Sequence, residues 1–157
     1  MPDQIQYMHQ SIAQAVSDHE IETLFGLVGD ANLFIANHFV NECGGTLVPA
    51  VHEGGTVLMA LAYTQVTNQV GIATVTQGPG LTNCVTALRE GVVSRRPMIL
   101  LCGDTPVTAP FHPQNIDQRE VVKATGAGFE QVQAPDTASR DVAKAIYRAR
   151  MEKRPIV

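Results

Sequence analysis

The chain has 157 residues and a formal net charge of −4, from 11 Lys and Arg against 15 Asp and Glu. That is one ordinary domain, without the basic stripe a nucleic-acid-binding face needs. A hydrophobic fraction of 45% excludes disorder, and Gly, Thr or Pro breaks every apolar run well before the roughly 18 residues of a membrane span. Charged residues make up only 17%, against roughly a quarter in typical soluble domains. The surface is therefore expected to be partly covered by another domain or subunit, a charge-poor monomer being the plainer alternative.

Apolar spacing predicts a helix over 8–19, a strand over 23–29 (TLFGLVG), a helix over 31–43 and a strand over 46–52 (TLVPAVH). A helix over 54–68, a strand over 70–76 (VGIATVT), a helix over 82–95 and a strand over 98–102 (MILLC) follow. The last elements are a helix over 118–125, a strand over 129–133 (FEQVQ), a helix over 137–153 and a strand opening at 155–157. In the long final helix Asp141, Lys144 and Arg148 fall on one face, Val142, Ile146 and Ala149 on the other. The first four strands are near-continuous in apolar residues, the pattern of strands buried on both faces of a parallel sheet. Roughly six strands with helical crossovers make an α/β fold, a three-layer α/β/α open sheet that is mostly parallel.

Residues 103–118 (GDTPVTAPFHPQNIDQ) form the one long irregular segment, with Pro106, Pro110 and Pro113 blocking regular structure. A loop that long in a compact domain is functional or covered by a partner. The run Arg154-Pro155-Ile156-Val157 opens a strand just as the sequence stops. Residues 1–157 are thus expected to be one domain of a larger multidomain chain. Cys43, Cys84 and Cys102 are far apart and form no Cys-x-x-Cys pair, against a disulfide framework or zinc cluster. His9, His19, His38 and His112 lack metal-ligand spacing and are expected at the surface or in packing. The opening MPDQIQYMHQ has no basic segment followed by an apolar run, so no signal peptide is expected and the cytoplasm is the expected setting.

In a parallel sheet, ligands bind beyond the carboxyl ends of the strands. Those ends carry Gly26, Val28 and Gly29, then His52-Glu53-Gly54-Gly55, then Gln77-Gly78-Pro79-Gly80, then Gly103-Asp104. Glycines there let a backbone approach a ligand closely, although strand–helix junctions are often glycine-rich without one. Glu53 is the sharper signal, because it follows an apolar strand and opens a helix. A poorly hydrated carboxyl in that place suits sharing a proton with a ligand nitrogen. Capping the helix is the alternative. Other motifs fail: His52-Glu53 lacks the closing histidine of His-Glu-x-x-His, and no third glycine, Walker loop or Gly-x-Ser-x-Gly elbow is present.

Together these residues resemble the N-terminal pyrimidine-binding domain of thiamine-diphosphate-dependent enzymes, in the acetolactate synthase and 2-oxo-acid decarboxylase branch. The resemblance runs from about Ser11 to the end. Its core is His52-Glu53, Met59-Ala60-x-Ala62-Tyr63, Thr76-Gln77-Gly78-Pro79-Gly80-Leu81-Thr82-Asn83 and Arg96-Pro97-Met98-Ile99, with Gln114-Asn115-Ile116-Asp117-Gln118 downstream. It implies that the Glu53 carboxyl hydrogen-bonds the cofactor's aminopyrimidine nitrogen N1′, which promotes loss of the thiazolium C2 proton. It implies further that Val28, Gly29, Thr76, Gly78, Pro79 and Asn83 line the cofactor, and that Gln114 reaches towards substrate. Gly54-Gly55-Thr56 stands where the family usually has Gln-Ala-Ala, and Pro113 and Asn115 stand where Phe and Glu are usual.

Thiamine diphosphate and Mg²⁺ are the implied cofactors. The Gly-Asp-Gly and later Asn pair that hold the hard cation are missing here, since Ala31 follows Gly29-Asp30 and Thr105 follows Gly103-Asp104. The resemblance therefore implies a separate diphosphate-binding domain, a second subunit (a homodimer or tetramer), and a chain inactive alone. Decarboxylation of a 2-oxo acid such as pyruvate followed by carboligation is the favoured activity, that of an acetolactate synthase-like transferase. A simple decarboxylase, a naturally split decarboxylase subunit, and a non-catalytic assembly module on the same fold are the alternatives.

Overall fold

Successive side chains of a strand point to opposite faces, and that alternation assigns each buried residue to one of two helical layers. The computed structural model describes residues 7–157. The expectation of no signal peptide, drawn from residues 1–10, falls mainly on residues 1–6, outside the described residues. The elements in chain order are α1 (Met8–Asp18), β1 (Thr23–Gly26), α2 (Leu33–Asn41), β2 (Thr46–Pro49), α3 (Glu53–Thr67) and β3 (Gly71–Val75). Then come α4 (Pro79–Thr82), α5 (Val85–Val93), β4 (Met98–Cys102), α6 (Gln118–Thr125), α7 (Ala138–Glu152) and β5 (Pro155–Ile156).

The five strands pair in the order β2-β1-β3-β4-β5, all parallel. On one face Leu24, Ile72, Ile99 and Ile156 pack against Ile12 and Val16 of α1, Ile35 and Phe39 of α2, and Val142 and Ile146 of α7. On the other, Phe25, Ala73, Val75, Met98 and Leu100 meet Val57 and Ala60 of α3, Leu81 of α4, Leu88 of α5 and Val122 of α6. The three-layer α/β/α sheet expected from the sequence is present. Its chain order places β1 and β3 side by side while their connections leave in opposite directions. That is a topological switch point, where a crevice opens beyond the strand ends.

Three expectations need correction. β2 is not buried on both faces; it is the sheet edge, and its four residues are exposed or half-buried. The strand expected over 129–133 is not formed. Only a single bridge joins Gly128 to Ile156, with Gly128 N–H donating to the Pro155 carbonyl, Val157 N–H to Gly128 and Glu130 N–H to Val157, each at 2.9 Å. The described residues thus form five strands, close to the roughly six expected. The helix expected over 82–95 is two helices, α4 starting three residues earlier at Pro79, whose fixed φ suits a first helical turn.

Candidate functional site

The turn after β3 is built on Gly78, whose φ of 61° and ψ of −109° lie where residues with a Cβ are strained. A Cβ at Gly78 would also sit 2.3 Å from the Gln114 carbonyl oxygen, so the turn and the 103–118 loop touch backbone to backbone. Two glutamines fasten that contact. The Gln118 Oε1 accepts from Gly78 N–H (3.1 Å) and the Cys102 thiol (3.2 Å), while its Nε2 donates to the Gly103 carbonyl (2.9 Å) and Asp104 Oδ1 (3.3 Å). Buried Gln77 accepts from the Thr76 hydroxyl at 2.6 Å and donates to Gln114 Oε1 at 2.7 Å. His112 Nδ1 accepts from the Gln114 backbone N–H at 3.2 Å, which accounts for that histidine as a loop brace.

The β1 side locks onto the same turn. A Cβ on Gly29 would lie 2.7 Å from the Thr76 Cβ, so only glycine allows these segments to meet. Asn32 is fully buried and bridges β1 to β3: its Oδ1 accepts from Gly29 N–H (2.7 Å), and its Nδ2 donates to the Leu27 carbonyl (3.1 Å) and Thr74 Oγ1 (3.2 Å). The Thr74 hydroxyl in turn donates to the Leu101 carbonyl at 3.0 Å. Val28, between these anchors, stays 43% exposed.

Glu53 stands apart from this network. It is the first residue of α3, and the helix cap is His52, whose Nδ1 accepts from Gly54 N–H at 3.1 Å. Capping through its own side chain is therefore not the role of Glu53. Glu53 is a half-buried residue that follows the edge strand of the sheet, and the hydrogen bond its carboxylate makes is exposed. The Asn83 Nδ2 donates to Glu53 Oε2 at 2.8 Å, and Asn83 N–H donates to the Pro79 carbonyl at 3.1 Å. Glu53 is thus tied to the turn through Asn83, while its Oε1 accepts no hydrogen bond among the described residues. The neighbouring thiols are held protonated: burial first, then the Glu53 carboxylate, pushes Cys84 up to about 12, and burial, with Cys84 and Asp104, does the same to Cys102. Neither is a nucleophile near neutral pH.

Of the site residues expected from the sequence, Gly29, Thr76, Gly78 and Gln114 gather around one turn, Glu53 and Asn83 form a pair beside it, Pro79 joins the two, and Val28 projects outward from the rim. Sequence reasoning missed Asn32, Thr74, Gln77 and Gln118 as the bolts of this assembly. The only available signal was a polar side chain three residues after Gly29 and two amides flanking predicted loop ends. Among the described residues, no group of three or more His, Cys, Asp or Glu is placed to hold a metal ion. No described helix is long and apolar enough to cross a membrane, and all three cysteines are free.

The family model for the thiamine pyrophosphate enzyme N-terminal TPP binding domain matches residues 7–121. Among relatives, 2-hydroxyacyl-CoA lyase 2 of Danio rerio is 32% identical over 118 residues, covering 73% of this chain and 18% of that protein. The mitochondrial acetolactate synthase catalytic subunit of Aspergillus candidus is 32% identical over 89 residues, covering 57% and 13%. Sulfoacetaldehyde acetyltransferase of Roseovarius nubinhibens is 26% identical over 151 residues, covering 93% and 24%. This chain thus spans no more than about a quarter of these relatives' length. The thiamine diphosphate-dependent 4-hydroxybenzoylformate decarboxylase of Rhodococcus jostii RHA1 has the same fold, with a TM-score of 0.83 at 20% identity over 95% of this chain and 29% of that one.

Proposed function

The chain belongs to the thiamine pyrophosphate enzyme family, as its N-terminal TPP binding domain, and on that premise we propose that it activates the cofactor in an enzyme acting on 2-oxo acids such as pyruvate. Thiamine diphosphate supplies, when bound, a thiazolium carbon that adds to a carbonyl and accommodates the electron pair left when a carbon–carbon bond breaks. The observation that carries the reading is the Glu53 carboxylate, with one oxygen held by Asn83 at 2.8 Å and the other without a hydrogen bond among the described residues. A carboxylate fixed at one end and open at the other can share a proton with a ring nitrogen, and this donor set fits an aminopyrimidine. Glu53 holds the proton, Asn83 orients Glu53, and Val28, Gly29, Thr76, Gly78 and Pro79 bound the space on the turn side. Gln114, fastened by Gln77, faces the substrate side.

Mg²⁺ and the diphosphate fall in this reading to a separate domain. Residues 1–157 are one domain of a multidomain enzyme that works as a homodimer or tetramer in the cytoplasm. Val28, Val51 and Val85, exposed beside Gly29, Glu53 and Asn83 in the sequence, are the apolar surface a covering domain would bury. Capture of a second 2-oxo acid after decarboxylation is the favoured outcome, as in the acetolactate synthase relatives. The 37% identity to the 2-hydroxyacyl-CoA lyase 2 of Mus musculus over 101 residues favours, as a second reading, a lyase that cleaves the carbon–carbon bond without carboligation. Product analysis separates them.

The test is Glu53→Gln in the complete enzyme loaded with thiamine diphosphate. Hydrogen–deuterium exchange at thiazolium C2 is expected to slow by at least about 100-fold, the contribution of a positioned proton carrier. Exchange at the parent rate would show that another group does this work.

A further inference from the structure

A run of hydrogen bonds crosses from the end of β1 to the 103–118 loop, and its members all donate in one direction. It begins at a main-chain group that can do nothing but donate: Ala31 N–H reaches the Thr76 hydroxyl oxygen at 3.4 Å. The Thr76 hydroxyl donates to Gln77 Oε1 at 2.6 Å, and Gln77 Nε2 donates to Gln114 Oε1 at 2.7 Å. Gln77 is 4% exposed, so its amide is shielded from solvent. Turning that amide round would set its Nε2 against Thr76 and deprive the hydroxyl hydrogen of its protein acceptor. The cost of losing such a partner fixes the order of the run.

An amide held by its oxygen shows its nitrogen. The Gln114 backbone is clamped, its N–H by His112 Nδ1 and its carbonyl against Gly78, and Gln77 takes its Oε1. Its Nε2 donates to no described group, so the run ends in an open donor. The other two side-chain amides of the loop have spent theirs: Asn115 Nδ2 on the Pro110 carbonyl, Gln118 Nε2 on the Gly103 carbonyl and Asp104. Residues 103–118 include no Lys or Arg, and Arg119, next along the chain, lies over the Phe129 ring at 4.6 Å. An anionic oxygen approaching this loop is therefore met by a neutral N–H donor rather than by a cation.

We propose that Gln77 is a positioning residue: by holding Gln114 Oε1 it turns the Gln114 amide donor-first into the site, and so selects a ligand that brings an oxygen acceptor there, the carboxylate of a 2-oxo acid. The proposal rests on the reading that Gln114 faces the substrate, and adds which atom does so and what sets it. Replacing Gln77 by glutamate keeps the size of the side chain and reverses the sense of the run. A carboxylate accepts without donating, so it takes the Thr76 hydroxyl with one oxygen and Gln114 Nε2 with the other. Gln114 then offers Oε1 to the site, acceptor against acceptor.

The test is calorimetric binding of oxamate, an unreactive analogue of pyruvate, to the complete enzyme loaded with thiamine diphosphate. Gln77→Glu is expected to raise the oxamate Kd at least about tenfold. In a Gln114→Leu background the same substitution should carry a penalty at least about threefold smaller, because Gln114 no longer transmits it. An unchanged Kd overturns the proposal, and so does an equal penalty in both backgrounds, the mark of an added charge alone. A parent enzyme that does not bind oxamate overturns it too. Hydrogen–deuterium exchange at thiazolium C2 without oxamate keeps the two readings apart: Gln77→Glu should match the parent, whereas Glu53→Gln slows. Parent-rate exchange in Glu53→Gln would sink the cofactor reading and leave the oxamate result standing. Should Gln77→Glu not fold, Gln114→Glu keeps the acceptor for Gln77 and reverses the open end alone, and an oxamate Kd at the parent value there ends the idea.

Discussion

The two halves of the site differ in how their polar groups are used. On the turn side, the buried or half-buried amides of Asn32, Gln77 and Gln118 use both of their polar atoms in protein hydrogen bonds. On the other side, half-buried Glu53 makes one side-chain hydrogen bond, to the exposed Asn83, and keeps an oxygen open. Burial explains the division: a buried polar atom without a partner costs about 1–3 kcal/mol, and no described buried side-chain N or O atom lacks one. Groups whose hydrogen bonds are all internal hold shape. A group with spare capacity at the edge is available to something else. If that division is right, substitutions on the turn side unfold the domain, and substitutions at Glu53 leave it standing.

Gly78→Ala should break the turn side hardest. It combines a positive φ with a Cβ 2.3 Å from a backbone oxygen, and neither strain can relax without moving the 103–118 loop. A loss of about 4 kcal/mol in a urea titration is expected. Asn32→Leu comes next: it keeps the volume but deprives Gly29 N–H and the Leu27 carbonyl of their partner, for about 2–3 kcal/mol.

Charge on α7 offers a contrast to Glu53, because its carboxylates are fully used. The Thr137 hydroxyl, with Gln133 N–H and Arg140, holds Asp141 below the usual carboxylate range against the opposing effect of burial. Arg148 and Arg154 do the same for Glu152. Burial pushes Glu130 up, but Lys144 and Arg148 outweigh it. A carboxyl whose folded pKa is depressed stabilises the fold above its unfolded pKa of about 4, and that contribution is lost as pH falls through the folded pKa. Asp141→Asn should therefore lower stability by about 1–2 kcal/mol at pH 7, with the deficit closing as pH falls through the lowered folded pKa of Asp141 in acid titrations followed by circular dichroism.

The apolar pattern made the layer order legible: the buried runs of β3 and β4 and the split of Val142 and Ile146 from Lys144 and Arg148 on α7 follow from periodicity. The Gly78-Pro79-Gly80 turn and Glu53 were legible as a motif, because backbone strain and an isolated carboxylate leave marks in residue type. What stayed hidden depends on neighbours distant in sequence. β2 reads as apolar as β3, and only its edge position exposes it. Residues 129–133 have strand composition but lack the partner that would make them one. Gln118 reaches Gly78 across 40 positions, and no local pattern announces such a bond.

The smallest expected effect is the most informative. Glu53→Gln retains an oxygen to accept from Asn83, and so removes from the fold little more than a negative charge in the first turn of α3. Such a charge stabilises an exposed helix start by about 0.3–1 kcal/mol, so the variant should unfold within about 0.5 kcal/mol of the parent at physiological salt, where screening trims the effect. Asn83→Ala, exposed and bonded to one carboxylate oxygen, should behave alike. Read beside slowed C2 exchange in the complete enzyme, a near-zero stability change assigns Glu53 to the ligand rather than to the scaffold. A loss above about 2 kcal/mol would instead class it with Asn32, as a strut, and the distinction between the two halves would fall.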